Sequence, residues 1–316
     1  MKNVAAVIVT HNSAREVGGC LDAVIGRVDE VVVVDNASRD NTREEVIKRP
    51  TVRFIANATN RGFAAAVNQG ISAVDTDCVL LLNPDAVLLT GIDGLLKACR
   101  RPGVAAAAGK LVDEQGQAQK GFNVRRFPTP LSLSFEVLGC NRIFPWNPVN
   151  RRYRCLDLDL ASSAEVEQPA GAFLMIRRNA WRAVGGFDEG FAPLWFEDVD
   201  FLKRLHERSY RVVYEPSAVA KHVGAHSLGS LPQDRRELYW YASLLRYCVV
   251  HYRPLQRRGV CVALLLGSAF RMTWGLISKG RVLPVRIYGK VMRLAFSTLV
   301  EGRPAGAENK PIVVRR

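Results

Sequence analysis

The sequence predicts an α/β fold in which a mostly parallel central sheet is flanked by helices. Two observations support this prediction. Short runs rich in Val, Ile and Leu, too short to show a helical period, alternate with segments whose apolar residues recur every three or four positions. Several of these runs end abruptly in turn-forming or acidic residues. Strands and helices that alternate in short units typically form a parallel sheet covered by helices on both faces.

The N-terminal third of the chain contains four predicted strands. Val4–Val9 ends at Thr10–Ser13, a turn-forming cluster that can also cap the following helix. Val79–Leu82 reads as a buried strand, and it must stop before Pro84, which cannot continue a central ladder. The predicted strands are Val4–Val9, Glu30–Val34, Val52–Ile55 and Val79–Leu82, and the predicted helices are Ala14–Ile25, one opened by Asn41 and Thr42, Phe63–Ala73 and Ile92–Cys99.

The pattern is less regular in the middle of the chain. Gly121–Arg154 combines prolines, aromatic residues and many arginines, and we interpret it as a long functional loop or lid. On both sides of this segment the sequence shows the regular apolar patterns of strands and helices. The predicted strands of this part are Val104–Gly109, Phe173–Ile176 and Arg211–Tyr214. One predicted helix begins near Arg178, and a second spans Asp198–Arg208.

The C-terminal part of the chain is strongly basic. The net charge is +14, and the stretch from Pro232 onward carries +12 of it, with 16 Lys or Arg residues and 4 Asp or Glu residues. We therefore predict two domains, a catalytic domain over residues 1–230 and a basic, amphipathic helical extension over residues 231–316. A basic segment rich in apolar residues suits an anionic membrane surface. No nucleic-acid recognition motif is visible, so nucleic acid is not an expected partner.

Two features of this extension bear on membrane contact. The apolar run Val260–Ile277 is interrupted by Arg271, and its uninterrupted length is too short to predict a membrane span. Beyond Pro284, basic and apolar residues fall on different helical faces, which is typical of a helix lying in a membrane interface; the alternative is a basic helix packed on its own domain. The basic residues are Arg286, Lys290 and Arg293, and the apolar residues are Ile287, Val291, Leu294, Ala295 and Leu299.

The cysteines and the N-terminal residues indicate the compartment. The seven cysteines are widely scattered and include no C-x-x-C pair, so neither a disulfide framework nor a zinc site is expected. The chain enters a predicted strand directly, without the charged and apolar regions of a signal peptide. We expect a cytoplasmic protein, peripheral at the inner face of the cell membrane.

Acidic residues follow predicted strands or open a helix at three places. Asp35 could equally be a helix cap. Asp85 is harder to explain as a cap, because Pro84 fixes a turn that projects its carboxylate, and carboxylate oxygens suit Mg²⁺ or Mn²⁺. The cluster Glu197–Asp200 opens a helix behind aromatic residues, where mutual repulsion would raise a pKa as a general base requires. Good capping by the helix dipole is the simpler explanation of that cluster.

Two weaker features complete the candidates. His222 and His226 are four residues apart, and a histidine near a divalent cation is a common additional ligand, although a lone histidine is more often structural. Asn60 and Arg61 open a helix and could offer backbone N–H groups and a cation to an anion.

Five motifs, taken in order, resemble those of the family-2 inverting glycosyltransferases, which have the Rossmann-like, nucleotide-sugar-binding A-type fold. Within that family the chain is most similar to the rhamnosyltransferase-like branch. The resemblance covers roughly residues 4–227 and leaves the basic tail outside. The motifs are Val31–Ser38, Asn60–Asn68, Leu80–Asp85, Gly171–Arg177 and Gly185–Leu205.

The resemblance implies a role for each candidate residue. Asp85, with His222 as a further contact, would hold Mg²⁺ or Mn²⁺ against the diphosphate of the donor. Asp198, beside Glu197, would be the general base. Asn83 stands where the family commonly has the first Asp of a D-x-D pair, which removes one negative charge from the metal site. The residues implied in holding the nucleotide sugar are Thr10, Asp35, Asn60, Arg61, Asn83 and Trp195.

The implied activity is the transfer of a sugar, with inversion, onto a hydroxyl of a lipid-diphosphate-linked or polysaccharide acceptor in cell-envelope glycan synthesis. The similarity alone suggests L-rhamnose from dTDP-L-rhamnose as the donor. The alternatives are a transferase that uses another nucleotide sugar, such as a UDP-hexose, and a sugar-nucleotide pyrophosphorylase. The latter would need a Gly-rich basic loop after the first strand, where this chain has His11–Ser13. Asp85 and Asp198 argue against a non-catalytic scaffold.

Overall fold

A computed structural model describes residues 3–222, 224, 232–279 and 283–303 of the chain. The chain divides into two compact units. Of the described residues, the first unit contains 3–127, 154–189, 197–222 and 224, and the second contains 128–153, 190–196, 232–279 and 283–303. Two internal segments therefore belong to the same unit as the C-terminal helices.

Nine of the described strands of the first unit form one sheet, and two others form a small ribbon. The strands are β1 (Val4–Thr10), β2 (Glu30–Asp35), β3 (Val52–Ala56), β4 (Cys78–Leu82), β5 (Ala86–Leu88), β6 (Val104–Val112), β7 (Val124–Arg125), β8 (Ala164–Glu165), β9 (Gln168–Pro169), β10 (Phe173–Arg177) and β11 (Arg211–His222). The order in the sheet is β3-β2-β1-β4-β10-β6-β11-β5, with β8 paired to β11, and the ribbon is β7-β9.

The sheet combines parallel and antiparallel pairings. Strands β3, β2, β1 and β4 are parallel neighbours, and β6 is parallel to β11. Strand β10 lies antiparallel between β4 and β6, while β5 and β8 run antiparallel to β11. The predicted α/β fold with flanking helices is confirmed. Strand β11 is longer than predicted and reaches His222, so this histidine ends the strand rather than following it.

Both faces of the sheet are buried, which explains why its strands read as continuous apolar runs. Along β1, Ala6 and Ile8 join one buried cluster, while Ala5 and Val7 join the other. Gly70 allows the third helix to approach β1 closely, because a Cβ atom there would lie 2.4 Å from a Val7 methyl group. The helices are α1 (Val17–Val24), α2 (Thr42–Ile47), α3 (Phe63–Ser72), α4 (Asp93–Arg100), α5 (Pro130–Leu138), α6 (Cys140–Ile143), α7 (Pro148–Tyr153), α8 (Arg178–Ala183), α9 (Glu197–Glu207), α10 (Gln233–His251), α11 (Pro254–Lys279) and α12 (Leu283–Glu301).

The prediction of an irregular loop over Gly121–Arg154 is wrong, because this segment contains β7 and the helices α5 to α7. Thr129 and Ser132 cap α5 reciprocally, each side chain accepting from the other's backbone N–H at 3.1 and 2.9 Å. Gly139 ends α5 in the left-handed conformation. These caps are visible in the sequence, but helices this short show too little apolar periodicity to be recognised.

The second unit contains α5 to α7 and the three long helices α10 to α12. Arg271, which interrupts the apolar run of α11, donates from Nη1 to the carbonyls of Val137 at 2.6 Å and Gly267 at 2.9 Å. Its charge is thus used inside the unit, and the helix, which is 26 residues long in total, continues past it to Lys279. By length and composition alone, the stretch Pro254–Ile277 could cross a membrane, although 39% of its most apolar window is buried.

The apolar face of α12 that was predicted to lie in a membrane interface is instead buried within the second unit. Ile287, Val291 and Ala295 are each at most 3% exposed. For these residues the alternative holds, because they pack inside their own unit. The large apolar side chains that this unit exposes lie on other surfaces, and half of those among the described residues are on α11.

Candidate active site

The first predicted site residues lie where β1 and β2 end side by side. Thr10 is fully buried, and its hydroxyl donates to Asp35 Oδ1 at 2.8 Å. Ser38 donates to the same carboxylate twice, from its hydroxyl to Oδ1 at 2.5 Å and from its backbone N–H to Oδ2 at 2.9 Å. The Asp35 side chain is therefore buried and held in place by three hydrogen bonds at the carboxyl edge of the sheet, where α/β sheets usually bind ligands.

Asn36 ties this strand end to the loop before α3. Its Oδ1 accepts from Asn57 Nδ2 at 3.1 Å and from the Arg61 N–H at 3.3 Å. Its Nδ2 donates to the Gly62 carbonyl at 3.0 Å. Sequence reasoning did not select Asn36 as a site residue, although it stands next to Asp35 in the quoted motif. A second polar residue next to Asp35, directly after an apolar run, is the sequence signal that could have found it, and the structure buries this side chain to 2% exposure.

The loop held by Asn36 presents the two predicted anion-binding residues. Asn60 accepts from the Gly62 N–H at 2.9 Å and so closes its own turn before α3. Arg61 is exposed. Gly62 has φ +86°, a conformation that a residue with a side chain rarely adopts. The loop therefore presents the Arg61 side chain close to the end of β2, and its role in binding an anion stays a prediction.

Asp85 and His222 come together from distant parts of the sequence. Ala86 pairs with His222 across β5 and β11, which brings Asp85 Oδ1 within 3.5 Å of His222 Nε2. Both side chains are buried, and burial lowers the pKa of His222 although the Asp85 charge acts in the opposite direction. The imidazole ring also stacks on Phe122 at a centroid distance of 5.4 Å. A neutral imidazole is the form that can ligate a metal.

These two groups suit a divalent cation. Two ligand atoms of one ion, each about 2.1 Å from it, lie roughly 3 Å apart, so the 3.5 Å separation of Oδ1 and Nε2 is close to that required. Among the described residues, no group of three or more His, Cys, Asp or Glu side chains could hold a metal. An ion with two protein ligands must complete its shell with substrate oxygens and water, as Mg²⁺ commonly does.

The acids that open α9 are in three different states. Asp200 is fully buried and pairs with Arg204 at 2.7 Å. Glu197 is buried with one carboxyl oxygen unpaired, and burial, followed by the Asp198 charge, raises its pKa well above the ordinary value. Burial also raises the pKa of Asp198, but backbone N–H groups and the Arg125 charge oppose this. Asp198 is therefore the acid best able to be ionised and still accept a proton.

Asp198 is connected to the turn that contains Asn83 and Asp85. Its Oδ2 accepts from the Gly171 N–H at 3.2 Å, and its Oδ1 accepts from the Val199 N–H at 2.8 Å. The residue after Gly171 accepts from the Asn83 N–H at 2.9 Å through its carbonyl. Asn83 is half-buried, and its own carbonyl accepts from the Ala86 N–H at 3.0 Å. Gly171 and its neighbour thus link the predicted base to the predicted metal turn.

The remaining predicted residues are placed as follows. Trp195 lies in the 190–196 segment of the second unit and has φ +75°, which is strained for an aromatic residue. Its neighbour Phe196 has φ +66°, so the backbone is strained immediately before Glu197. His226 lies outside the described residues. Sequence reasoning missed Arg125, whose charge acts on Asp198, because no local pattern brings β7 to the start of α9.

Part of the chain matches known proteins in sequence. The family model for glycosyl transferase family 2 matches residues 5–166. The chain is 35% identical over 217 residues to the N-acetylglucosaminyl-diphospho-decaprenol L-rhamnosyltransferase of Mycobacterium tuberculosis, an alignment that covers 64% of this chain and 69% of that protein.

Two solved structures share the fold. The structure of GalNAc-T7 with UDP, GalNAc and Mn²⁺ has a TM-score of 0.56 and 13% identity, and covers 91% of this chain and 58% of its own. The mannosyltransferase PcManGT from Pyrobaculum calidifontis, in complex with GDP-Man and Mn²⁺, has a TM-score of 0.52 and 17% identity, and covers 93% of this chain and 81% of its own. At these identities the likeness shows the fold alone, and it confirms the predicted A-type architecture.

Proposed function

The chain belongs to glycosyl transferase family 2, an inverting family, and we propose that it transfers L-rhamnose from dTDP-L-rhamnose to a diphosphate-linked lipid acceptor in cell-envelope synthesis. The observation that carries the reaction class is the link from Asp198 through Gly171 to the turn of Asn83 and Asp85. The choice of sugar and acceptor is supported by the mycobacterial relative, whose name specifies a rhamnosyltransferase acting on N-acetylglucosaminyl-diphospho-decaprenol.

Asp198 is proposed as the general base. It accepts the proton of the acceptor hydroxyl while that oxygen attacks the anomeric carbon, and the nucleoside diphosphate leaves from the opposite face. A single displacement of this kind inverts the anomeric centre. Burial and the neighbouring Asp198 charge raise the pKa of Glu197 well above the ordinary value, and in its protonated form this residue would be a hydrogen-bond donor beside the base.

Asp85 and His222 are proposed to hold Mg²⁺ or Mn²⁺. When bound, the ion would neutralise charge on the departing diphosphate. Asn83 would hydrogen-bond the ribose or a metal-bound water, since its amide cannot supply the second negative charge that the family commonly has. With one carboxylate in the pair, metal affinity depends strongly on the substrate phosphates.

The nucleotide would lie along the carboxyl edge of the sheet. The carboxylate of Asp35 is held by Thr10 and Ser38, so it can accept a hydrogen bond from the base or ribose without reorganising. Asn60 and Arg61 would bind the phosphates, and the exposed guanidinium of Arg61 could donate charge-assisted hydrogen bonds to them. Trp195 is proposed as an aromatic wall for the sugar nucleotide.

A screen of nucleotide sugars tests the donor. In the presence of Mg²⁺ or Mn²⁺, dTDP-L-rhamnose at about 100 times its Kd should stabilise the protein by about 2.7 kcal/mol and raise its Tm measurably, whereas UDP-hexoses should not. Incorporation of radiolabelled rhamnose into a GlcNAc-diphospho-prenol acceptor is the matching activity assay. Stabilisation by UDP-hexoses together with transfer of a hexose would replace the proposed donor, and no transfer from any donor would refute the activity.

We further propose that the second unit contacts an anionic membrane surface through α11. Its large apolar side chains are exposed at intervals of three or four residues, which places them on one face of the helix. A lipid-linked acceptor requires the enzyme to work at the membrane. The exposed residues on this face are Val262, Leu266, Phe270, Trp274 and Ile277.

Vesicle binding tests this surface. Phe270→Glu and Trp274→Glu each place a charge on the apolar face and should reduce cosedimentation with vesicles of anionic phospholipid several-fold. Ile47→Glu is the matched control, because Ile47 is equally exposed on α2 of the first unit. Equal binding by all three variants and the wild type would exclude this face as the contact.

A further inference from the structure

A cavity of about 700 Å³ lies at one end of strands β4 and β10, and the candidate active site lies at the opposite end of these strands. Arg177, the last residue of β10, pairs there with Cys78, the first residue of β4. The active-site turn follows the other end of β4, and a five-residue strand is roughly 16 Å long. The cavity is therefore distinct from the catalytic edge. Its lining residues belong to the first unit and include Asn3, Asp75, Asp77, Arg100, Arg177, Arg178, Asn179 and Arg182.

The lining carries an excess of positive charge, with four arginines against two aspartates. Arg178 binds Asp75 at 2.6 Å through Nη1, but the Asp75 side chain is fully exposed, so this pair contributes little stability. The Nε of Arg178 is buried without a hydrogen-bond partner among the described residues. A buried cationic donor without a partner is costly, so negative charge close to this guanidinium would be favourable.

The pKa of Cys78, a lining residue of the cavity, reflects the charges around it. The pKa of its thiol is lowered, first because Cys99 hydrogen-bonds it and further because Arg177 and Arg100 are close, although burial and Asp77 act in the opposite direction. The cations therefore favour a negative charge at this wall of the cavity. This agrees with the excess of arginine around it.

We propose that this cavity binds a small phosphate-bearing molecule rich in hydroxyl groups, of the size of a sugar phosphate. Arginine guanidinium groups match phosphate oxygens with paired, charge-assisted hydrogen bonds. The amides of Asn3 and Asn179 and the carboxylate of Asp77 are suited to hydroxyl groups. None of the residues that line the described cavity is aromatic, so it offers no platform for stacking a nucleobase. The volume lies within the usual range for small-molecule sites.

Calorimetric titration of the full chain with glucose 1-phosphate and with inorganic phosphate tests the proposal. Arg100→Ser and Arg182→Ser change exposed residues of the lining, so both variants should fold. Each should weaken binding of glucose 1-phosphate about tenfold, because each removes a charge-assisted contact. Arg208→Ser is the matched control, an exposed arginine outside the lining, and its affinity should stay within twofold of the wild type.

A second control distinguishes binding in the cavity from binding at the candidate active site. Arg61→Ser removes the cation of the catalytic edge, and it should leave glucose 1-phosphate binding unchanged if the ligand occupies the opposite cavity. Loss of binding in Arg61→Ser but not in the lining variants would place the ligand at the active site and overturn the proposal. Absence of binding to the wild type would also overturn it, as would inorganic phosphate binding as tightly as the sugar phosphate.

Discussion

Asp35 and Asp198 lie in the same unit and are both proposed to meet the substrate, but their surroundings differ. Asp35 accepts three hydrogen bonds, two of them from hydroxyl groups, and is held as an acceptor. Asp198 accepts two backbone N–H groups and is buried enough that its pKa rises. The first arrangement fixes a charge in place for binding, whereas the second leaves a carboxylate that gains from taking a proton.

The same contrast appears within one turn of α9. Asp200 pairs with Arg204, burial and the Asp198 charge raise the pKa of Glu197 strongly, and Asp198 has a raised pKa that backbone N–H groups and the Arg125 charge oppose. Three neighbouring acids are thus assigned different roles by their partners. The family resemblance had already suggested Asp198 as the base, and these partners supply a physical reason for that proposal.

The largest expected effect follows from removing the base. Asp198→Asn keeps the shape of the side chain but cannot accept a proton, so turnover should fall by about a thousandfold, within the range for loss of a general base. Binding of the nucleotide sugar should change little. Radiolabelled sugar transfer measures the first quantity and titration calorimetry the second.

Glu197→Gln is the comparison that makes this result specific. Burial raises the pKa of Glu197 well above the ordinary value and so favours its neutral form, which an amide resembles; turnover should therefore fall no more than about tenfold. If Glu197→Gln were as inactive as Asp198→Asn, or if Asp198→Asn retained substantial transfer, the roles assigned to these two acids would be wrong.

A smaller effect is expected at the metal turn. Asp85→Asn removes the carboxylate ligand and leaves His222, so half-maximal activity should require about a hundredfold more Mn²⁺. Asn83→Asp changes the charge in the other direction and should lower the Mn²⁺ requirement. A metal titration of transfer activity measures both. An unchanged requirement in Asp85→Asn would show that this carboxylate does not hold the ion.

The pH profile should reflect the raised pKa of Asp198. The base works only when ionised, so kcat rises with pH through the folded-state pKa and falls about tenfold per unit below it. Because this pKa is raised, the acid limb should lie above the value of about 3.9 that is usual for aspartate. The profile of kcat under saturating donor measures the limb. A rate that is independent of pH down to about 4 would contradict the raised pKa.

Much of the sheet, and the candidate residues at the ends of its strands, could be predicted because the residues that end a strand are adjacent to it in the sequence. A buried apolar run followed by Asp35, or by Asn83 and Pro84, specifies both a strand and its end. The contact of Asp85 with His222 and the action of Arg125 on Asp198 could not be derived in this way, since each joins segments far apart in sequence. The membrane face was misassigned for a related reason. Helical periodicity distinguishes an apolar face from a polar one, but not a face covered by its own unit from an exposed one.

The smallest effect is expected at the Asp35 network. Thr10→Val preserves the shape of the side chain and removes one of the three donors to Asp35, leaving both donors of Ser38. We expect a loss of about 1 kcal/mol in unfolding free energy and a few-fold rise in the KM for the donor, with kcat within twofold of the wild type. Denaturant unfolding and steady-state kinetics measure these quantities. A kcat reduced a hundredfold would mean that Asp35, like Asp198, acts on the reacting atoms, and the contrast between the two carboxylates would no longer hold.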